Sequence, residues 1–76
     1  MADTTVYKLV DLVGVSEVGV DDAIKNAIAR ASQTLKGLDW FQVTETRGAI
    51  HDGRITFQVT LRIGFRILAD DELRGV

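Results

Sequence analysis

The sequence predicts an α+β fold in the order β-α-β-β, a three-stranded antiparallel sheet packed on one helix. Three observations carry this reading. From Arg54 to Leu68 apolar residues occupy every second position, the period of a strand with one buried face. Between Val20 and Leu38 they recur at three- and four-residue spacing, which forms one stripe of a helix. His51-Asp52-Gly53, with its strong Asp-Gly turn signal, separates the alternating segment from the one before it.

The first strand spans Tyr7 to Val13, with Val6, Val10 and Leu12 on one parity and Tyr7, Leu9 and Val13 on the other. Gly14-Val15-Ser16-Glu17-Val18-Gly19 then suits a loop. The helix starts at Val20, carries Asp21 and Asp22 against the positive end of its dipole, and is expected to stop at Lys36 before Gly37. A hairpin of Trp40 to Ile50 and Arg54 to Leu68 completes the sheet. In its second strand Ile55, Phe57, Val59, Leu61, Ile63, Phe65 and Ile67 must face the helix. Arg54, Thr56, Gln58, Thr60, Arg62, Gly64 and Arg66 then line the opposite face. Residues 1–76 form one domain, and the acidic segment 69–76 is expected to be a flexible tail.

Composition narrows the function. With 46% apolar and 26% charged residues, the 76-residue chain has the make-up of one folded domain. It has no Cys and one His, which removes disulfide frameworks, zinc ribbons and thiol nucleophiles. A net charge of −2 with scattered Lys and Arg offers no basic stripe for nucleic acid. Apolar runs are far too short to cross a bilayer, and Met1-Ala2-Asp3-Thr4-Thr5 lacks the pattern of a secretory signal, so a cytoplasmic protein is expected. A chain of this size buries only about 60% of the surface its unfolded form exposes. Without disulfides or a metal, assembly is the remaining common source of burial, and the long final strand is expected to offer the unpaired edge.

Asp39-Trp40-Phe41-Gln42-Val43-Thr44 is the informative stretch. If Phe41 and Val43 point into the core, alternation sends Trp40, Gln42 and Thr44 to the polar face. Pairing places Gln58, Thr60 and Arg62 on that face as well, so an aromatic plane stands with a side-chain amide, a combination suited to a flat heterocycle. The alternative is that Trp40 fills a subunit interface, where Trp is enriched. Other candidates are weaker. His51 reads as a solvated turn residue, and Gly14 to Gly19 lacks the Lys and Ser/Thr of a phosphate loop. Asp21 and Asp22 read as a helix-start pair, with no catalytic pair visible. Lys8, Arg47, Arg62 and Arg66 form a conceivable phosphate cluster on the polar face, against the plainer reading of solvated strand positions.

Leu38-Asp39-Trp40-Phe41, Thr46-Arg47-Gly48 and the run Phe57-Gln58-Val59-Thr60-Leu61-Arg62-Ile63-Gly64-Phe65-Arg66 resemble the dodecin family, as do Gly14-Val15-Ser16 and Asp22-Ala23-Ile24. The likeness runs from about Thr5 to Leu68. It implies a hollow twelve-subunit sphere that binds flavin, with paired flavins held between Trp residues of neighbouring subunits. Trp40 stands at the stacking position, Gln58 at the position that bonds the pyrimidine edge, and Asp39 in the ligand-proximal stretch. Arg47 is implied as a partner for ligand phosphate or for the second flavin. The closer likeness is to bacterial members, which implies FMN ahead of riboflavin or FAD. Some bacterial members also hold coenzyme A, for which Lys8 and Arg66 are the implied contacts. The implied role is storage with quenching of the flavin's photochemistry, which needs no enzyme activity. The alternatives are a structural homo-oligomer and a coenzyme A carrier.

Overall fold

A computed structural model describes residues 5–67; the expected tail 69–76 and Leu68 lie outside the described residues. Strand β1 spans Tyr7–Ser16, helix α1 Val20–Ala31, strand β2 Leu38–His51 and strand β3 Arg54–Arg66, in the expected β-α-β-β order. The sheet is antiparallel throughout, with the strand order β1-β3-β2.

That order corrects one expectation. The final strand pairs on both sides and lies in the centre, so the free backbone edges belong to β1 and β2.

The helix-facing parity of β3 is as expected. Val59, Leu61 and Ile63 are buried against Ala23, Ala27 and Ala31, with Val10, Leu12, Val20, Ile24, Ile28, Leu35 and Leu38 packed around them. The small residues on the helix let its backbone approach the sheet closely. A Cβ on Gly14 would run into the carbonyl oxygen of Ala23 and sit 3.0 Å from the Cβ of Ala27. This close approach explains why Gly14-Val15-Ser16 continues β1, opposite Val59, Gln58 and Phe57, where the sequence suggested a loop. Ser16 then closes the connection to the helix. Its buried Oγ donates to Asp22 Oδ2 at 2.7 Å and accepts from Val18 N at 2.8 Å and Gly19 N at 3.3 Å. Asn26 Nδ2 donates to Val15 O at 3.1 Å, a second tie between helix and strand.

The helix is shorter than its apolar stripe suggested, ending at Ala31 and not at Lys36. Ser32 Oγ donates at 2.8 Å to Ile28 O, which also accepts the ladder bond from Ser32 N at 2.9 Å. The chain then tightens into three-residue bonds, Gln33 N to Arg30 O and Thr34 N to Ala31 O, both 3.2 Å. Leu35 and Leu38 reach the core from this turn and from β2, which is why they mimicked two further helical positions.

The hairpin turn is a two-residue loop. Asp52 and Gly53 both have positive φ, 51° and 75°, the left-handed pair that matches the twist of the flanking strands. Twelve helical residues span about 18 Å, whereas a strand of thirteen or fourteen runs to about 45 Å. The helix accordingly packs on β1 and β3 and leaves β2 and the distal hairpin uncovered. Phe41 and Val43, expected in the core, point to the helix side of the sheet yet remain 45% and 40% exposed, and Ile50 is 80% exposed.

Gly14→Ala is expected to destabilise the protein by about 1–3 kcal/mol through overpacking against the helix backbone. A lowered urea midpoint with an unchanged denaturant slope is the readout.

Candidate functional site

The register fixes which side chains share the helix-free face. From β1 it presents Tyr7, Leu9, Asp11, Val13 and Val15, opposite Arg66, Gly64, Arg62, Thr60 and Gln58 of β3. From β2, Trp40 opposes Gly64, Gln42 opposes Arg62 and Arg47 opposes Gln58. Trp40 and Arg47 differ in parity, so strict alternation would place them on opposite faces. A bulge between Val43 and Glu45 inserts one residue and brings them to the same side, and a second one between Leu38 and Trp40 inserts Asp39.

Trp40 is the centre of one end of this face. A Cβ on Gly64 would collide with Cε2, Cζ2 and Cδ2 of the indole, so the ring lies across the glycine where any side chain would lift it. Tyr7 meets the indole in a T-shaped contact, with ring centroids 5.9 Å apart and planes at 62°. The Tyr7 hydroxyl donates to Asp39 Oδ2 at 2.6 Å. That bond, followed by desolvation and the Asp39 charge, holds the phenol above its ordinary pKa of 10.0, while the Arg66 charge works the other way. Trp40 remains 41% exposed.

Gln58 shares the face but not the neighbourhood. It lies six residues along β3 from Gly64, about 20 Å at strand spacing, and the side chain directly across from it is Arg47. The expectation that the Trp40 plane and the Gln58 amide stand together therefore does not hold within one subunit. The face has two ends, one with Trp40, Asp39, Tyr7 and Arg66, the other with Gln58 and Arg47.

Between the two ends Arg62 Nε donates to Asp11 Oδ1 at 3.0 Å and Nη2 to Oδ2 at 3.4 Å. The bond to Arg62 lowers the Asp11 pKa and raises that of the guanidinium. The conceivable phosphate cluster is thus not assembled. Arg62 is engaged by Asp11, Arg47 and Arg66 are at opposite ends, and Lys8, opposite Phe65, is on the helix side of the sheet. His51 is exposed beside Asp52, but it ends β2 paired with Arg54, whereas the sequence suggested a turn residue; the turn itself is Asp52-Gly53. Among the described residues no group of three or more His, Asp or Glu side chains is placed to hold a metal, and no helix is long and apolar enough to cross a membrane.

Comparison with known proteins agrees with this geometry. The family model for dodecin matches residues 6–68. The chain belongs to the dodecin family. It is 52% identical over 63 residues to the dodecin of Thermus thermophilus, covering 82% of this chain and 91% of the relative. The structure of the dodecin from Streptomyces coelicolor superposes with a TM-score of 0.84 at 47% identity, covering 91% of this chain and all of the other. That of Streptomyces davaonensis gives 0.84 at 51% identity, with 88% and 100% covered. Membership makes this a homo-oligomer of the dodecin type, in agreement with the apolar side chains that a single subunit leaves uncovered. Tyr7 and Gly64 are the site residues that sequence reading missed. A glycine interrupting the polar set of β3 was the available signal.

Tyr7 is the single tyrosine, so its ionisation can be followed by ultraviolet absorbance. Because its pKa is raised, the contribution of the phenol–Asp39 bond is fully present below about pH 10 and lost as pH rises through the higher folded value. The titration midpoint is expected above 10, and Asp39→Ala is expected to bring it back towards that value.

Proposed function

We propose that this protein stores flavin, FMN foremost, in a cytoplasmic homododecamer. The observation that carries the reading is Trp40, whose indole rests on Gly64 at an exposed position of the helix-free face. An indole in that posture offers a flat apolar plane to a flat ring system. A flavin stacked there at van der Waals distance accepts an electron from the indole when excited, which quenches it before it generates reactive oxygen. Such a stack needs no nucleophile or general base, and it holds the isoalloxazine away from substrates, so the role is binding and not catalysis.

The separation of Trp40 from Gln58 bears on how the site is built. One flavin contacting both draws them from different subunits, Trp40 supplying the plane and Gln58 the donor and acceptor for the pyrimidine edge. Arg47, across from Gln58, is then available to a phosphate or to the second flavin of a pair. The assembly and the ligand site become one requirement in this reading, because a site drawn from two subunits exists only where they meet.

Coenzyme A is the second ligand class. Arg66, beside Tyr7, lies on the face of Trp40, whereas Lys8 lies on the other face and meets the same ligand only across the β1 edge or from another subunit. Riboflavin and FAD remain in the test as competitors of FMN.

Fluorescence titration of FMN, riboflavin and FAD, beside light scattering, is expected to give saturable quenching on a particle of about 100 kDa, twelve chains of 8.3 kDa. Trp40→Ala is expected to abolish quenching while the particle persists; dissociation of the particle would instead favour a purely interfacial Trp40. Gln58→Ala is expected to weaken binding by about 1–3 kcal/mol, the range for a hydrogen bond lost in a dry site.

A further inference from the structure

Most of the face around Trp40 is polar or aliphatic, and one strand position stands out in it. Gly64 has no turn to make and no positive φ; it is a paired position of β3, opposite Leu9 on one side and, next to the bulge at Asp39, opposite Trp40 on the other. A strand interior is an unfavourable place for glycine unless another group approaches closely. Here the approaching group is the indole, whose fused-ring atoms occupy the space of the missing Cβ. A second contact to the ring comes from Tyr7, anchored by its hydroxyl to Asp39, the bulge residue that directly precedes Trp40.

We propose that Gly64 and Tyr7 are positioning residues that set the plane of Trp40, Gly64 by letting the indole lie down on the sheet and Tyr7 by fixing it from the side. Asp39 takes part in this arrangement through Tyr7, as the acceptor of its phenol. The inference rests on the flavin reading for its functional consequence. Stacking requires parallel planes, so an indole lifted by one methyl group presents a tilted face to an isoalloxazine and loses overlap with it. Specificity for flat ring systems then depends on residues that never touch the ligand.

The test uses the assembled protein. Gly64→Ala is expected to lower FMN affinity by about tenfold or more and to alter the near-ultraviolet circular dichroism of the single Trp, with particle mass unchanged. Tyr7→Leu is expected to act in the same direction, and Tyr7→Phe, which keeps the ring but loses the bond to Asp39, to fall between it and the wild type. A stability cycle covers the case in which Gly64→Ala folds poorly. Its cost is expected to disappear in a Trp40→Ala background, where the indole no longer fills the space; an equal cost in both backgrounds would overturn the assignment. Wild-type affinity and dichroism in assembled Gly64→Ala and Tyr7→Leu proteins would overturn it too. Absence of flavin quenching by the wild-type protein would instead remove the flavin reading, with the dichroism of the unliganded variants and the stability cycle still deciding whether Gly64 and Tyr7 set the indole plane.

Discussion

The structure depends on the pairing of β3 with both of its neighbours. Because β3 is central, its period-two pattern is imposed on the whole sheet: Val59, Leu61 and Ile63 define the side that takes the helix, and Gln58, Arg62 and Gly64 the side left open. Every other placement is relative to that register. Gly14 opposes Val59 and so faces the helix, where its lack of a side chain admits the Ala23 backbone. Leu9 opposes Gly64 and so faces away from it.

The mismatch of lengths follows from the same arrangement. Helix α1 ends at Ala31 and covers part of two strands, while the hairpin extends well beyond it. Phe41, Val43, Ile50 and Ile55 are apolar strand positions that remain exposed among the described residues. Exposed apolar side chains of this kind fit a chain whose family assembles into a homo-oligomer.

Much of this was legible in the sequence, and the failures have specific physical causes. The alternation from Ile55 to Ile67, the helix start at Val20 and the Asp-Gly turn each depend on local chemistry, which a sequence displays directly. The end of the helix escapes the pattern because Leu35 continues the apolar stripe although the backbone passes into three-residue bonds at Gln33 and Thr34. The position of β3 between its neighbours depends on pairing, which leaves no mark on any single strand. The Trp40 face was read correctly, yet Gln58 was put beside it because alternation reports a side of the sheet and not a distance along it.

The bulge between Val43 and Glu45 is where fold and site are linked most directly. A two-residue turn sets the hairpin in register, pairing His51 with Arg54, Ile50 with Ile55 and Arg47 with Gln58. Continued without interruption, that register would bring Trp40 opposite Phe65, on the helix side. One inserted residue changes the phase, so that Trp40 meets Gly64 on the open face while Arg47 keeps its place there. The sequence carries a trace of the change: Phe41 and Val43 share one parity, Ile50 has the other, and yet all three point to the helix side. A strand whose apolar phase switches midway is expected to contain a bulge, and here the switch is what puts the Trp40 indole on the open face.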